Sequence, residues 1–339
     1  MELVKHNKWQ RIMLPGFLFQ SMVIGGGYGT GAEMAQYFGV NGVLGGLLTC
    51  IVVAVVWGVI CAVAFEFTRI FKVYDYHSLT KALIGKFAFT YEIVYIAACL
   101  MVLGVVVATS GNMFETMLGL NRWIGSLVLA VLICVIVISG TKAVETVFAF
   151  WSYVLYAVYA LFFIIVFVKW GSQIGANLAL CEIKPTWFSN GLIYSSYNLG
   201  IVAALLYSCS GCESRKEAIA SGMMSGVIAV VPAALLFLAL SAFYPEFLVL
   251  DVPVNLLFEQ LNMPWLYYAF EIVLFGTLIE TGMGFIKAVV DRIEVAFDEK
   301  EGGVPSWVRP SVTIGLMVIG LAISAFGITA IILKGYGSL

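Results

Sequence analysis

From Ile12 to Leu333 the chain runs as a succession of apolar stretches separated by short polar connections. Roughly twenty apolar residues cross a bilayer, and by that measure spans fall near 12–38, 42–67, 88–114, 123–140, 144–168, 188–210, 217–243, 264–290 and 310–333. In hydrocarbon every backbone N–H and C=O needs a partner inside the protein, so stretches of this length and continuity are helices. Composition agrees: 62% of the residues are hydrophobic and 11% charged, against about 45–50% and about 25% in soluble domains. The chain reads as an all-α polytopic membrane protein, one transmembrane domain over 1–339, because no connection is long enough for a soluble domain. The longest connections are 69–87, 169–187, 244–263 and 291–309. Within the third, Val254 to Leu261 has a short helical period that fits either a helix on the membrane surface or an ordinary loop helix.

Charge sets the orientation. With the N-terminus cytoplasmic, that side carries Lys5, Lys8, Arg11, Arg69, Lys72, Lys81, Lys86, Lys142, Arg215, Lys216, Lys287, Arg292, Lys300 and Arg309, and the other side only Arg122, Lys169, Lys184 and Lys334. Fourteen of the 18 basic residues then lie inside, which makes the topology N-inside. The net charge of −2 offers no basic surface for nucleic acid, so the expected partners are the lipid bilayer and a small solute, with the oligomeric state open. Lys5, Lys8 and Arg11 ahead of Ile12–Ile24 imitate a secretory signal, but Pro15 sits early in the run and another apolar helix follows, so no cleavage is expected. The seven cysteines are scattered and odd in number, which argues against a disulfide framework. Cys209-Ser210-Gly211-Cys212 has redox-motif spacing, yet it ends a span with no thioredoxin-like pattern around it, and helix packing is the expected role.

One span breaks the rule of helical continuity. Gly25-Gly26-Gly27-Tyr28-Gly29-Thr30-Gly31 puts five glycines into seven residues inside the first span, and glycine is the poorest helix former after proline. An opened backbone is tolerated in a membrane only where protein covers it or a cavity receives it. The expectation is a discontinuous helix that builds a binding site, as in secondary transporters. Thr30-Gly31-Ala32-Glu33 reads as a capping box that restarts the helix. Glu33 is then either that cap or a group that binds a proton, a cation or a substrate amine. The run also matches the dinucleotide fingerprint, but no parallel sheet or partner acid supports it.

Shifting the chain by 169 residues lays Tyr28 on Tyr197 and Gly31 on Gly200, so that span six falls on span one and spans seven and eight on two and three. Five spans separate the two starts, an odd number, so the halves are inverted in the membrane. The first repeat covers 10–170 and the second 187–339. In span six Ser195, Ser196 and Asn198 stand between apolar flanks; short polar side chains compete with the helix for backbone groups, which makes a second break the expectation, although such serines also bond back to the preceding turn. Where both helices break, the N-termini after the breaks favour anions and the C-terminal ends before them favour cations.

With Gly25–Gly31 in span one and Tyr194-Ser195-Ser196-Tyr197-Asn198-Leu199-Gly200 in span six, the chain resembles the LeuT fold of the amino acid–polyamine–organocation (APC) superfamily. Within it, Gly26 to Glu33 is similar to the glycine-rich first helix of the YkvI-like family of bacterial membrane proteins. The resemblance implies a LeuT-like inverted repeat with discontinuous helices one and six, and a solute site formed by Gly25, Gly27, Tyr28, Gly29, Gly31, Ser195, Ser196, Tyr197 and Asn198. It also implies, for sodium-coupled members, hydroxyls of span eight against the carbonyls of the first break, at Thr277 and Thr281. A five-plus-five pattern calls for a tenth span, whereas the chain stops at Leu339 just after the ninth; this leaves transport competence in question.

Span eight carries Gly276, Thr277, Glu280, Gly284 and Lys287 on one face, with Thr281 beside it. An acid at mid-span costs about 2.5–3.5 kcal/mol on insertion scales and is a functional candidate by default. Glu280 suggests proton coupling, since burial disfavours its charged form; the bland alternative is a helix-helix hydrogen bond or an ion pair to Lys287, about 10.5 Å further along. Thr109, Ser110 and Asn112 lie in the outer part of span three. Glu66, Glu92, Glu115, Glu145 and Glu271 fall nearer span ends, where solvated or paired carboxylates are expected, and nothing converges on His77 beside Asp75.

No metal-ligand cluster, cofactor motif or catalytic set stands out, so neither an enzyme nor a cofactor is expected beyond H+ or Na+ as coupling ion. Expected instead is a secondary active transporter of a small organic solute, an amino acid or related compound, in the bacterial cytoplasmic membrane. The ion-coupling candidates are Glu33, Thr277, Glu280 and Thr281. A non-transporting sensor or accessory subunit with the same fold is the alternative.

Overall fold

The structure is a computed structural model that describes residues 7–74, 76–301 and 303–335, with the side chains of all these except 141–150, 152, 153, 203, 204 and 298–301. Lys5 and Asp75 lie outside the described residues, as do the side chains of Lys142, Glu145 and Lys300. The described chain is helical throughout. It opens with α1 (Lys8–Val23), the single turn α2 (Gly26–Gly29), a π turn at Met34–Phe38 and a 3-10 turn at Gly39–Asn41. There follow α3 (Val43–Phe71), α4 (Tyr76–Ile84), α5 (Ala88–Leu118), α6 (Arg122–Ile138) and α7 (Thr141–Ala179). The second half has α8 (Trp187–Leu199), a 3-10 stretch over Gly200–Gly211, α9 (Arg215–Ser241), α10 (Pro253–Leu261), α11 (Pro264–Glu301), α12 (Val308–Ser324), α13 (Ile328–Ala330) and a π turn at Ile331–Gly335.

Five helical stretches are long and apolar enough to cross a membrane unaided: Val43–Phe71, Tyr76–Leu118, Val154–Ala179, Arg215–Ser241 and Pro264–Phe297. Two bent pairs of helices reach that length and apolarity only when each pair is taken together, with a 67° bend within residues 187–211 and a 104° bend after Ser324. The long connections expected from hydropathy are partly helical, because α4 runs up to α5, α7 continues to Ala179 and α11 to Glu301. On α3 the side chains of Ile51, Val55, Val59 and Val63 recur at four-residue spacing and are 46–63% exposed. Such a stripe is a liability in water and the ordinary face of a helix against acyl chains.

Two compact units build the chain. The first holds the chain up to Val23, Glu33–Ile93 and Val166–Pro253. Its centre is the antiparallel pair α3 and α9, packed through small residues: a Cβ on Gly222 would stand 2.1 Å from Ala62 N, and one on Gly226 2.4 Å from Gly58 N. Small residues four apart on both partners let the backbones touch, which is how membrane helices pack without a hydrophobic drive between them. Helix α1 lies on α9 at Gly16, beside Ser225 and Ile228. Helix α8 is held to α3 by Gly191 against Val52 and by Trp57 Nε1 donating to Ser195 O at 3.2 Å.

The second unit holds Ile24–Ala32, Val94–Ile165 and the chain from Val254 onward. Its α5 and α6 exchange hydrogen bonds, Ser110 Oγ to Gly125 O at 2.9 Å and Ser126 Oγ to Val107 O at 3.0 Å. Gly276 leaves room for the Trp151 indole, whose Nε1 donates to Val273 O at 3.0 Å and ties α7 to α11. Helix α10 does not lie on a membrane surface: Val254, Leu256, Leu257, Phe258 and Leu261 are buried, and Phe258 packs on Phe162 and Phe270. Of the two roles its period allowed, the loop helix is the one formed.

Candidate functional site

The first span opens where the glycines fall. Helix α1 ends at Val23; after a bend at Ile24 and Gly25, one turn forms, with Gly29 N bonded to Gly25 O at 2.8 Å and Thr30 N to Gly26 O at 3.2 Å. Gly31 then takes φ +80°, a left-handed conformation that glycine alone enters freely. Within the second unit this segment is tightly enclosed. A Cβ on Gly26 would stand 2.4 Å from Thr109 Oγ1 of α5, one on Gly29 2.2 Å from Leu274 Cδ1 of α11, and one on Gly25 3.3 Å from Thr281 Cγ2. The glycines therefore serve close approach as well as interruption. Gly27 and Tyr28 are buried, Tyr28 completely.

Thr281 Oγ1 donates to Ile24 O at 3.3 Å, so a hydroxyl of span eight meets a carbonyl that the break releases. Thr277, also fully buried, donates instead to Leu274 O of its own helix at 2.7 Å. Thr109, placed in the outer part of span three by hydropathy, is fully buried against Gly26, and its hydroxyl has no hydrogen-bond partner. Thr30 and Glu33 do not form the expected capping box. Thr30 Oγ1 donates back to Gly26 O at 2.6 Å and accepts from Ala32 N at 3.4 Å. Thr30 N is already bonded to Gly26 O, so no free N–H there awaits the Glu33 carboxylate. Thr30 closes the preceding turn rather than opening the next, and its own carbonyl accepts from Val254 N of α10 at 3.1 Å.

Glu33 belongs to the first unit, where it precedes the π turn Met34–Phe38; single π turns within helices frequently mark functional sites. It is 5% exposed, and the phenols of Tyr194 and Tyr197 on α8 approach its carboxyl as donors, although Oε2 makes no well-formed hydrogen bond. Tyr37, Tyr194 and Tyr197 pack ring on ring with centroids 5.5–5.8 Å apart, which closes the space around the acid. Asn41 fixes the end of the turn, donating to Tyr37 O at 2.7 Å while its Oδ1 accepts from Thr186 at 2.8 Å and Asn190 at 2.9 Å.

Span six departs from the expected break. Residues 194–199 are regular α-helix, and Ser195 Oγ, Ser196 Oγ and Asn198 Nδ2 bond to Gly191 O, Ile193 O and Tyr194 O of their own helix. A hydroxyl or amide that donates to the preceding turn leaves the helix ladder intact, so these residues do not open it. The geometry changes at Gly200 instead, where a 3-10 stretch runs for 12 residues, although such runs seldom exceed three or four residues. Gly200 is the residue that the 169-residue shift pairs with Gly31. Ser195 and Asn198 are buried, Tyr197 is half-buried, and Ser196 lies on the exposed face.

On α11, Glu280 is 1% exposed, and its carboxyl bears electrostatically on the phenol of Tyr156 of α7. Lys287 is not its partner, since it pairs with Asp291 one turn further on, beside an Arg309–Glu294 pair at 2.7 Å. Glu271, expected to be solvated or paired near the span end, is 3% exposed, with Oε2 buried and unbonded. His77 does find a partner, Glu92, at 2.8 Å. The Cys209–Cys212 spacing carries no redox site: both thiols are free and buried, and burial together with the Glu217 carboxylate pushes Cys212 up to about 11, the reverse of what a thiolate nucleophile needs.

No protein-family model and no curated protein matches the chain. Solved structures do. One is a substrate-bound, outward-open Na+-coupled sialic acid symporter, 12% identical, with a TM-score of 0.68 over 96% of this chain and 75% of that one. A second is MhsT in complex with L-phenylalanine, 15% identical, with a TM-score of 0.64 over 92% and 80%. The chain has the LeuT fold. A manganese transporter of Eremococcus coleocola is similar at a TM-score of 0.52, 14% identical over 97% of this chain and 80% of that one. At these identities the likeness is one of LeuT-fold architecture, and solute and coupling are argued from this chain's own residues.

Proposed function

We propose that this protein is a secondary active transporter that moves a small organic solute, an amino acid or related compound, across the bacterial cytoplasmic membrane by alternating access, with its N-terminus inside and H+ or Na+ as the coupling ion. The observation that carries this reading is the Thr281 hydroxyl on the Ile24 carbonyl. A carbonyl freed from its helix and a hydroxyl oxygen are hard ligands suited to an alkali cation. The fold's likeness to a Na+-coupled symporter supports it. Glu33 and Glu280, both buried acids within spans, are the candidates for proton coupling. On this reading the opened backbone from Gly25 to Gly31, with Tyr28, offers solute contacts in the second unit, and Tyr197, Asn198 and Ser195 of α8 offer them in the first; Ser196, on the exposed face, is the weakest of these.

Uptake by proteoliposomes under imposed H+ or Na+ gradients tests the proposal. Accumulation of at least one solute from a broad amino acid and amine panel, driven by one of the two gradients, is expected. Absence of gradient-driven flux for the whole panel would favour a non-transporting sensor or accessory subunit.

A further inference from the structure

Span six needs a partner for its backbone at the point where it stops being an α-helix. An α-helix bonds each carbonyl to the N–H four residues on and a 3-10 helix to the N–H three residues on, so a change from one to the other passes over one carbonyl at the junction. In span six that junction is at Gly200: α8 is regular up to Leu199, and the 3-10 stretch runs from Gly200 to Gly211. The Gly200 carbonyl accepts from Tyr91 Oη of α5 at 3.0 Å. Within a membrane a carbonyl without a donor is costly, and Tyr91 supplies a donor from outside the helix.

Packing does not require the glycine at this junction. Gly200 has φ −55° and ψ −28°, a conformation open to any residue, and a Cβ built on it would meet nothing within 4 Å. What glycine contributes is a weak helix position, which leaves the junction to be set by whatever holds the carbonyl. Tyr91 is itself fixed in place. Its ring lies against the buried Tyr76 of α4 with centroids 6.1 Å apart, and the next residue, Glu92, is paired with His77 of α4 at 2.8 Å. All of these residues belong to the first unit. We infer that Tyr91 is a positioning residue: its hydroxyl fixes where the α-helix of span six stops, and with it the place of Tyr197 and Asn198 just before Gly200. The first break has a matching relation. There a hydroxyl of span eight, that of Thr281, takes the Ile24 carbonyl; at the second a hydroxyl of span three takes the Gly200 carbonyl, and the 169-residue shift lays span eight on span three. The consequence for the solute rests on the transport reading, whereas the hold on the helix does not.

Solid-state NMR of the full-length protein in lipid bilayers, labelled with carbonyl-13C glycine and 15N isoleucine, reads this carbonyl directly. The sequence has two Gly-Ile pairs, Gly200-Ile201 and Gly327-Ile328, and Gly200→Ala assigns their signals. Tyr91→Phe, which keeps the ring on Tyr76, should move the Gly200 carbonyl signal upfield and leave that of Gly327 in place. With carbonyl-13C asparagine and 15N leucine, the Asn198-Leu199 signal should move as well. Should Tyr91→Phe not fold, 3-fluorotyrosine in the wild type, a stronger donor, should move the Gly200 signal downfield. For a solute of the amino acid and amine panel that the wild type accumulates, Tyr91→Phe should raise KM about three- to tenfold with Vmax kept within about twofold, a split that lost stability alone would not produce. The inference is overturned by a Gly200 signal that does not move, by an Asn198 signal that stays while that of Gly200 moves, or by an unchanged KM. A wild type that accumulates no solute overturns the transport reading instead, and the two carbonyl signals then decide the role of Tyr91.

Discussion

Thr281, on α11, donates its hydroxyl hydrogen to the carbonyl of Ile24 across 3.3 Å, at the point where the first span loses its helix. Four residues earlier, Thr277 spends the same hydrogen on its own helix. The two threonines are thus alike in sequence terms and unlike in what they hold.

If Na+ is the coupling ion, Thr281→Val should raise the Na+ concentration for half-maximal uptake by about tenfold, near the upper end of what one hydrogen-bonding group contributes. Thr277→Val should change it by no more than about twofold. Flux measured against a Na+ series decides this, and equal effects of the two variants would remove the Ile24 carbonyl from the cation site.

The two buried candidate acids make opposite claims on proton coupling. Glu280→Gln should abolish proton-driven accumulation yet leave counterflow exchange, because an amide keeps the shape and loses the titration. Should Glu33 carry the charge instead, Glu33→Gln will show that pattern and Glu280→Gln will accumulate normally. Paired accumulation and exchange assays on both variants assign the role.

Stability should follow the contacts of the small residues. Gly222→Ala places a methyl group 2.1 Å from Ala62 N, and overpacking of this kind costs about 1–3 kcal/mol. A clear fall in Tm is expected by thermal unfolding in detergent. Gly171→Ala, with nothing within 4 Å of its new methyl, should leave Tm unchanged.

Orientation can be read from one thiol. Cys181 is exposed, Cys134 is half-buried and the other five cysteines are buried. With the N-terminus inside, Cys181 faces outward, so a membrane-impermeant maleimide should label it in intact cells. Labelling only after permeabilisation would reverse the topology.

The helical path and the first break were legible because both rest on local signals, the length of apolar runs and the density of glycine. What lay beyond local reach was decided by tertiary partners. The Thr30–Glu33 motif fits a capping box in letters, but Thr30 N was already taken by Gly26 O. Ser195, Ser196 and Asn198 fit a break in letters, but each donates to its own helix, and the irregular geometry starts later, at Gly200. Glu271 looked solvated by its distance from the span end, whereas α10, through Phe258 on Phe270, closes over that end of α11. Charge burial depends on such coverage, and no period in the sequence reports it.

The α3–α9 contact has a consequence for how such a chain could have arisen. Gly226 touches Gly58 from a position 168 residues later, one short of the 169-residue shift that lays span six on span one in the sequence. Under that shift Gly58 and Gly226 stand almost at the centre of the antiparallel contact, the one place where a residue meets its own counterpart in an isologous dimer interface. The seam at Gly58 and Gly226 is then where two copies of a half-length ancestor, inserted in opposite orientations, would have recognised each other before they were joined into one chain.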